Sequence, residues 1–278
     1  MSDSASPAAR TQSEAETYQR LRGHLAFLKL ADAAEALPRL LDEARTSKLP
    51  LIDTLEALLG VEVAATEDRR LTSRLRFACL PAPWRLADFD FSAQPGIEEP
   101  LIRELATLRF IDEGANVLFI GPPGVGKTML AVGLARAGAE AGHRVYFTTA
   151  ADLAARCRKA AIEGRWATMM RIDAGPRLLV LDELGYLTLA ADAAAALFQV
   201  INTRYTNGSS TVITTNVGIG SWATAFGDNP MVAAAMLDRL LHHGVVVGID
   251  GPSHRLRSHQ ARAEALRTGT QVKPHASR

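Results

Sequence analysis

One eight-residue segment constrains this chain more than any other. Residues Gly121–Thr128 read Gly-Pro-Pro-Gly-Val-Gly-Lys-Thr, a complete phosphate-binding loop of the pattern G-x-x-x-x-G-K-[ST]. The apolar run 117–120 before it predicts a buried strand, and the residues from Met129 onward open a helical pattern. A strand, a Gly-rich loop and a helix in this order predict an α/β domain. In such a domain, backbone N–H groups and the positive helix N-terminus face the phosphates of a nucleoside triphosphate.

The residues of this loop have separate predicted tasks. Lys127 is expected to reach the β- and γ-phosphates, and the Thr128 hydroxyl is expected to hold Mg²⁺. The glycines allow backbone N–H groups to approach the phosphates closely. The residues predicted to bind the nucleotide are Gly121, Pro122, Pro123, Gly124, Val125, Gly126, Lys127, Thr128 and Met129.

Composition places few further limits on function. Of the 278 residues, 47% are hydrophobic and 22% are charged, as in an ordinary globular protein. The net charge of +1 by itself indicates nothing about nucleic acid. The positive excess is concentrated in residues 239–278, which hold 7 Lys and Arg against 2 Asp and Glu.

The cellular location is predicted from cysteine usage and hydropathy. Cys79 and Cys157 are far apart and form no C-x-x-C pair, which favours neither a disulfide framework nor a zinc site and fits a reducing compartment. The first residues lack the basic and apolar regions of a signal peptide. No apolar run reaches the length of about 18 residues that a membrane span needs. We therefore expect a cytoplasmic protein without a membrane partner.

Residue patterns divide the chain into five segments. Residues 1–13 are small and polar and are expected to be disordered, and 14–80 predict a small helical domain. Residues 81–99 form a linker whose aromatic side chains should pack on the next domain. Residues 100–257 are predicted to alternate strands with helices in an α/β domain, and 258–278 are expected to form a basic, flexible tail. The predicted strands 117–120, 144–148, 177–181, 211–215 and 245–249 form a parallel sheet in a three-layer α/β domain.

A second motif ends the third predicted strand, where apolar residues precede Asp182 and Glu183. At the carboxyl end of a parallel strand, Asp182 can hold the Mg²⁺ hydration shell opposite Thr128. Glu183 can polarise the attacking water as a general base. Two carboxylates that only cap a strand are the alternative, which the phosphate-binding loop upstream disfavours.

Two further residues carry weaker signals. Asn216 follows the fourth predicted strand, where its amide can orient water against the γ-phosphate. Asn after a strand is usually only a turn residue, but its position at the end of the strand that follows the Asp182–Glu183 motif favours the functional interpretation. Arg239 lies off the apolar stripe of its helix. It can act as an arginine finger on a neighbouring subunit or be a solvated arginine paired with Asp238, and the residues alone favour neither.

Six motifs stand in order along the chain: Phe89–Pro95, Gly121–Thr128, Phe147–Leu153, Asp182–Leu187, Thr214–Asn216 and Leu237–His243. Together they resemble the IstB family, the ATP-binding helpers of insertion-sequence transposition, which are close relatives of the DnaC helicase loaders. The resemblance runs from roughly Tyr18 to Arg257, most of the chain. The phosphate-binding loop alone would not be specific, whereas the ordered set of six is.

This resemblance implies an AAA+ fold behind an N-terminal helical domain, with ATP rather than GTP as the nucleotide. It implies ATP-dependent self-assembly on duplex DNA, capture of target DNA, and recruitment and stimulation of a partner transposase. It also implies a homo-oligomer in which catalysis is shared between subunits. The implied roles are Lys127 and Thr128 on phosphate and Mg²⁺, Asp182 on the metal, Glu183 as catalytic base, Asn216 as sensor 1 and Arg239 as the trans-acting finger.

The end of the matched segment departs from the family pattern. Arg255 matches the last residue of the family's G-x-S-Y-R segment, in which His254 replaces the usual Tyr. We include Arg255 among the predicted nucleotide-binding residues, and contact with nucleotide or with DNA both stay open for it. Thr188 stands where Pro commonly follows the Gly-Tyr-Leu segment, a loop change of little consequence.

Contact with DNA rests on charge alone. Arg69, Arg70, Arg74 and Arg76 fall on a predicted helix and can form a basic face for phosphates, or a solvated face in a domain that is slightly acidic. No base-reading pattern accompanies them, so contact with duplex DNA is predicted not to be sequence-specific. The basic tail, with Arg255, Arg257, Arg262 and Arg267, can add nonspecific affinity.

Two other functions use the same phosphate-binding loop. A helicase loader would use the ATPase as a switch and the N-terminal helices to grip a replicative helicase, and it is the main alternative. A small-molecule kinase has no need for Glu183, Asn216 and Arg239 together, and is disfavoured.

Overall fold

The computed structural model describes residues 7–186, 188–226, 229–254, 256 and 267. The chain divides into two compact units, Met1–Thr72 and Ser73–Arg278. The first unit contains α1 (Pro7–Phe27), α2 (Ala31–Ser47) and most of α3 (Leu51–Ala78). Residues 7–13, for which disorder is the sequence-based expectation, lie in α1, where Ala and Arg at positions 8–10 have high helix propensity.

The first unit has a small core of apolar side chains. Leucines at helical spacing on α2 are buried because α1 and α3 cover that face. The Glu62 carboxylate on α3 accepts a hydrogen bond of 3.1 Å from the backbone N–H of Ala33, near the start of α2. The core residues are Leu25, Ala33, Leu37, Leu40 and Leu58.

The second unit is built on a five-stranded parallel sheet in the order β2-β3-β4-β1-β5. All five predicted strands are confirmed, with ends that differ by no more than three residues. Sequence neighbours such as β1 and β2 are not adjacent, so helices cross over the sheet between them. The strands are β1 (Asn116–Ile120), β2 (Val145–Thr149), β3 (Leu178–Leu184), β4 (Ser210–Thr215) and β5 (Gly244–Gly248).

Helices cover both faces of this sheet and give the three layers that the sequence predicts. On β3, Leu179 and Leu181 belong to one apolar cluster, and Leu178 and Val180 belong to the other, as the two-residue period of a strand requires. Helices α7, α9 and α11 contribute to the first cluster, and α4, α5 and α6 contribute to the second. The helices are α4 (Glu99–Leu105), α5 (Arg109–Asp112), α6 (Lys127–Glu140), α7 (Ala150–Ile162), α8 (Trp166–Asp173), α9 (Ala191–Thr206), α10 (Trp222–Ala225) and α11 (Pro230–Leu241).

The segment before the sheet is held by its aromatic residues. Phe89 and Phe91 pack against the cluster on the α6 face, and their ring centroids lie 4.9 Å apart. Ile97 is buried in the same cluster. Within the described residues, no helix has both the length and the apolar character that a membrane span requires.

Candidate functional site

The phosphate-binding loop joins the end of β1 to the start of α6, as the sequence predicts. Gly124 and Gly126 have φ values of 84° and 100°, which favour glycine. A Cβ atom on Gly126 would lie 2.6 Å from the Phe89 ring, and one on Gly124 would lie 2.1 Å from the Ser253 hydroxyl. Both conformation and space therefore require glycine at these positions.

Lys127 is the first residue of α6, so its backbone lies at the positive end of the helix dipole. Its Nζ donates to the carbonyl oxygens of Gly121 and Pro122, at 2.7 Å each. These contacts hold the ammonium group against the loop itself. An anion held by the loop would find both the helix N-terminus and this cation beside it.

Thr128 and Asp182 are brought together from α6 and β3. The Thr128 hydroxyl lies 3.0 and 3.2 Å from the two carboxylate oxygens of Asp182, which is buried. A hydroxyl and a carboxylate are hard oxygen ligands, and Mg²⁺ in nucleotide sites is held by one or two such groups together with phosphates. The residues present thus fit Mg²⁺ with a nucleotide, at the two positions that the sequence predicts.

Glu183 lies in a β-bulge, which the sequence does not predict. Leu181 of β3 pairs with Ile213 of β4, and Leu184 pairs with Thr215, so two residues of β3 face the single residue Thr214. Glu183 has a φ of 60°, which is uncommon for a residue other than glycine. Unlike its neighbour Asp182, Glu183 is exposed. The bulge therefore gives two adjacent carboxylates different environments.

Thr214 is the residue of this site that the sequence-based interpretation missed. Its hydroxyl donates to Asp182 Oδ1 and accepts from the backbone N–H of Glu183 at 3.0 Å. The available signal was a hydroxyl next to the carboxyl end of a strand that is expected to be buried, because buried polar groups need partners. Asn216 follows β4 at the same edge of the sheet and is exposed.

Glu183 also borders a cavity of about 210 Å³ between α7 and the segment that follows β3. Small side chains of α7 leave this space open, and Arg158 contributes a positive charge to its wall. Glu183 thus borders a space that water can enter. The lining residues are Ala150, Ala151, Ala154, Arg158, Glu183, Tyr186, Thr188, Leu189, Ala190 and Ala193.

Arg239 lies apart from these residues. Its guanidinium donates to Asn202 Oδ1 at 2.7 Å and to the Ala235 carbonyl at 2.8 Å, and it lies 4.8 Å from the centroid of the Phe198 ring. The Arg239 carbonyl is 3.4 Å from the side chain of Asn116, the first residue of β1. The phosphate-binding loop follows the other end of this strand, roughly 13 Å away at 3.3 Å per residue. Arg239 therefore does not join the loop within one chain.

Two predicted basic contacts differ from expectation. Arg69 forms ion pairs with Asp32 and, at 2.8 Å, with Glu62. Arg74 donates from Nε to the Ala139 carbonyl at 2.8 Å. Helical spacing does not reveal these tertiary partners, which engage two of the four arginines predicted to face DNA. Arg69 remains exposed, as do Arg70 and Arg76.

The segment after β5 lies against the phosphate-binding loop. The backbone N–H of His254 donates to the Gly124 carbonyl at 2.9 Å. Arg255, the adjacent residue predicted to bind nucleotide, lies outside the described residues, as do Arg257, Arg262 and most of the tail 258–278.

Comparisons with known proteins agree with the motifs. A family model described as IstB-like ATP binding protein matches residues 23–262. An ATP-binding protein of insertion sequence IS5376 from Geobacillus stearothermophilus, so named, is 37% identical over 246 residues, which are 88% of this chain and 97% of that protein. Its counterpart of insertion sequence IS21 from Pseudomonas aeruginosa is 39% identical over 233 residues, 84% of this chain and 87% of that protein.

Solved structures support the fold. A crystal structure of DnaI has a TM-score of 0.53 and 19% identity, over 60% of this chain and 92% of that one. A DNA replication initiation factor has a TM-score of 0.52 and 18% identity, over 69% of this chain and 56% of that one. At these identities the likeness shows only the shared AAA+ fold. The family match over most of the chain and the insertion-sequence relatives show more: this chain belongs to the IstB-like ATP-binding protein family.

Proposed function

We propose that this protein is an ATPase that assembles on duplex DNA when it binds ATP, and that it regulates transposition by capturing target DNA and recruiting a transposase. One observation carries the ATPase part: the Thr128 hydroxyl lies within 3.2 Å of the Asp182 carboxylate, beside the exposed Glu183. Metal ligand, phosphate cradle and candidate base thus meet at one edge of the sheet.

Each residue has a definite task in this proposal. The loop N–H groups and Lys127 bind the β- and γ-phosphates, and Thr128 and Asp182 hold Mg²⁺. When bound, Mg²⁺ would neutralise charge on the β- and γ-phosphate oxygens. Glu183 accepts a proton from the attacking water, and Asn216 orients that water.

The site is proposed to be completed by a second copy of the chain. Arg239 is too far from its own phosphate-binding loop, but it lies on a helix that a neighbour can meet. An arginine placed on the γ-phosphate from a neighbouring subunit neutralises charge as it develops. Binding of ATP would then favour assembly, because the nucleotide bridges two subunits.

The DNA and transposase parts rest on family membership. The relatives at 34–39% identity are named as ATP-binding proteins of insertion sequences. A helper of transposition must meet DNA and the enzyme that cuts and joins it. Binding that is not sequence-specific requires contacts with the phosphates of the DNA backbone. The exposed Arg70 and Arg76 and the basic tail could make such contacts.

A Glu183→Gln variant tests the catalytic assignment. We expect it to bind ATP with an affinity within about threefold of the wild type and to hydrolyse it about 10²- to 10⁴-fold more slowly, since it keeps the shape but cannot take a proton. Its assemblies on duplex DNA should outlast those of the wild type, as measured by sedimentation or electron microscopy. Normal turnover would disprove the role of Glu183, and absence of DNA-bound assemblies would disprove the DNA part.

A mixing experiment tests the shared site. Arg239→Ala and Lys127→Ala subunits should each be inactive alone, because one lacks the finger and the other lacks the phosphate contact. In a random equal mixture, about a quarter of the interfaces would pair an intact loop with an intact finger. ATP hydrolysis should therefore return on mixing. A mixture as inactive as its components would rule out the trans role.

A further inference from the structure

The feature that carries a further inference is the Thr214 hydroxyl, which is 2% exposed and lies between the two carboxylate residues of the site. It donates its proton to Asp182 Oδ1 and accepts the backbone N–H of Glu183 at 3.0 Å. A threonine hydroxyl has one proton and two lone pairs, so both contacts can be made at once.

The position of Thr214 in the sheet explains why it can reach both residues. It is the single residue of β4 that faces the two-residue bulge of β3. A bulge leaves one residue without its regular ladder partner. The Thr214 side chain supplies the missing acceptor for Glu183, so the bulge is closed by a side chain instead of by the backbone.

The bulge and the unusual backbone of Glu183 depend on this contact. Glu183 has a φ of 60°, and a residue other than glycine keeps such a conformation only when its surroundings impose it. In a regular strand, Asp182 and Glu183 would point to opposite faces of the sheet. Thr128 also contacts the Asp182 carboxylate, whereas the contact from Thr214, anchored on Asp182, fixes the direction in which Glu183 leaves the strand.

We infer that Thr214 is a positioning residue for ATP hydrolysis: anchored on the metal ligand Asp182, its hydroxyl holds the general base Glu183 in place. This inference rests on the proposed function, because it presupposes the roles of Asp182 and Glu183 in ATP hydrolysis. It assigns Thr214 no contact with the nucleotide itself. Its effect is on the placement of the base, so the rate of the chemical step should depend on it more than nucleotide affinity does.

The test compares Thr214→Val with Thr214→Ser in the full-length protein, with duplex DNA and saturating Mg²⁺. Valine keeps the shape but removes the hydroxyl, and serine keeps the hydroxyl. We expect Thr214→Val to lower kcat about 10- to 100-fold, the scale of a base misplaced by about 1 Å, with KM and the Kd for ATP within about threefold of the wild type. Thr214→Ser should stay within about threefold in all three quantities.

Thr215→Val is the matched control. Thr215 is the next residue of β4 and is 1% exposed, but among the residues that the structure describes its hydroxyl forms hydrogen bonds only with the backbone of Val217. Its loss should leave kcat within about threefold. If Thr214→Val does not fold, as judged by its thermal melt, Thr214→Ala provides the same test with less crowding. An equal loss of kcat in Thr215→Val would show that replacing either buried threonine of β4 by valine lowers kcat, whatever its hydroxyl contacts. That result would overturn the inference.

A double variant separates this inference from the proposed function. If Thr214 acts through Glu183, adding Thr214→Val to Glu183→Gln should lower the residual single-turnover rate by less than about threefold. A further tenfold loss would show an independent role and would overturn the inference. An inactive Glu183→Gln beside a fully active Thr214→Val would refute the inference alone. A fully active Glu183→Gln would refute the catalytic role of Glu183 in the proposed function, and the inference with it.

Discussion

Strands β3 and β4 hold buried polar groups at both ends, and the two ends use them differently. At the start, Arg204 of α9 is 1% exposed, and its guanidinium donates to the Ser210 carbonyl on β4 and to the carbonyls of Pro176 and Arg177 just before β3. At the other end, Asp182, Glu183 and Thr214 form a bulge with an uncommon backbone conformation and an exposed carboxylate. One end satisfies its polar groups in regular geometry, whereas the other keeps strain beside a reactive group.

The difference follows the direction of the parallel sheet. Ligands of open α/β sheets bind at the carboxyl ends of the strands, so the opposite ends are free to serve stability. Burial lowers the pKa of the Arg204 guanidinium to about 9, which leaves it charged at neutral pH. It keeps this charge by donating to the Thr211 hydroxyl at 3.0 Å and to carbonyls such as that of Pro176 at 2.9 Å. The neighbouring Asp173 opposes the fall in pKa.

The largest expected effect on stability comes from Arg204→Met. Methionine fills a similar volume but leaves the carbonyls of Pro176 and Ser210 buried without a donor. We expect a loss of about 3–5 kcal/mol in the free energy of unfolding, or roughly 10 °C in Tm for a unit of this size. Urea denaturation would measure it. ATP affinity of the folded protein should stay within about threefold.

Arg177→Met is the control for this prediction. Arg177 lies just before β3 and also donates to carbonyls, those of Gly208 and Asp112 at 2.9 and 3.0 Å, but water can reach these contacts. Its loss should therefore cost less than about 1 kcal/mol. A loss of ATP binding in folded Arg204→Met would break the division between the two ends.

The regular parts of this pattern are readable in the sequence. Each of the five strands has a run of apolar or β-branched residues, because helices cover both faces of the sheet. The positions of Thr128 and Asp182 follow from motif spacing. The bulge is not readable, because the apolar run before Asp182 gives no sign of an extra residue at Glu183. Thr214 was missed for the same reason, since its partners are defined only by the bulge.

The partners of charged side chains are also not predictable from the sequence. Arg204 would be placed in solvent by its residue type, because arginine is almost never fully buried without partners. Its partners are backbone carbonyls brought together by the fold, and composition does not encode them. Helical spacing on α3 likewise does not reveal that Asp32 and Glu62 form ion pairs with Arg69. Helical spacing gives the side of a helix but not what lies opposite it.

The smallest expected effect concerns the strain at Glu183. Glu183→Ala and Glu183→Gly both remove the carboxylate, so both should hydrolyse ATP as slowly as Glu183→Gln. They differ in the cost of a φ of 60°, which is roughly 1–2 kcal/mol for an L-residue and near zero for glycine. Since glycine also gains entropy in the unfolded chain, we expect the glycine variant to be more stable than the alanine variant by about 0.5–1 kcal/mol in urea denaturation.

The same pair of substitutions at a regular strand position should give the opposite sign. Val246 of β5 is 43% exposed and lies in an unbroken ladder with β1, so Val246→Gly should be less stable than Val246→Ala by about 0.5–1 kcal/mol. If glycine were the less stable residue at both positions, position 183 would behave as ordinary strand, and the contrast between the two ends of β3 and β4 would fail. If the glycine variant were the more stable one at position 183 and the less stable one at position 246, stability would be lost at residue 183 itself, where the proposed chemistry needs an exposed carboxylate.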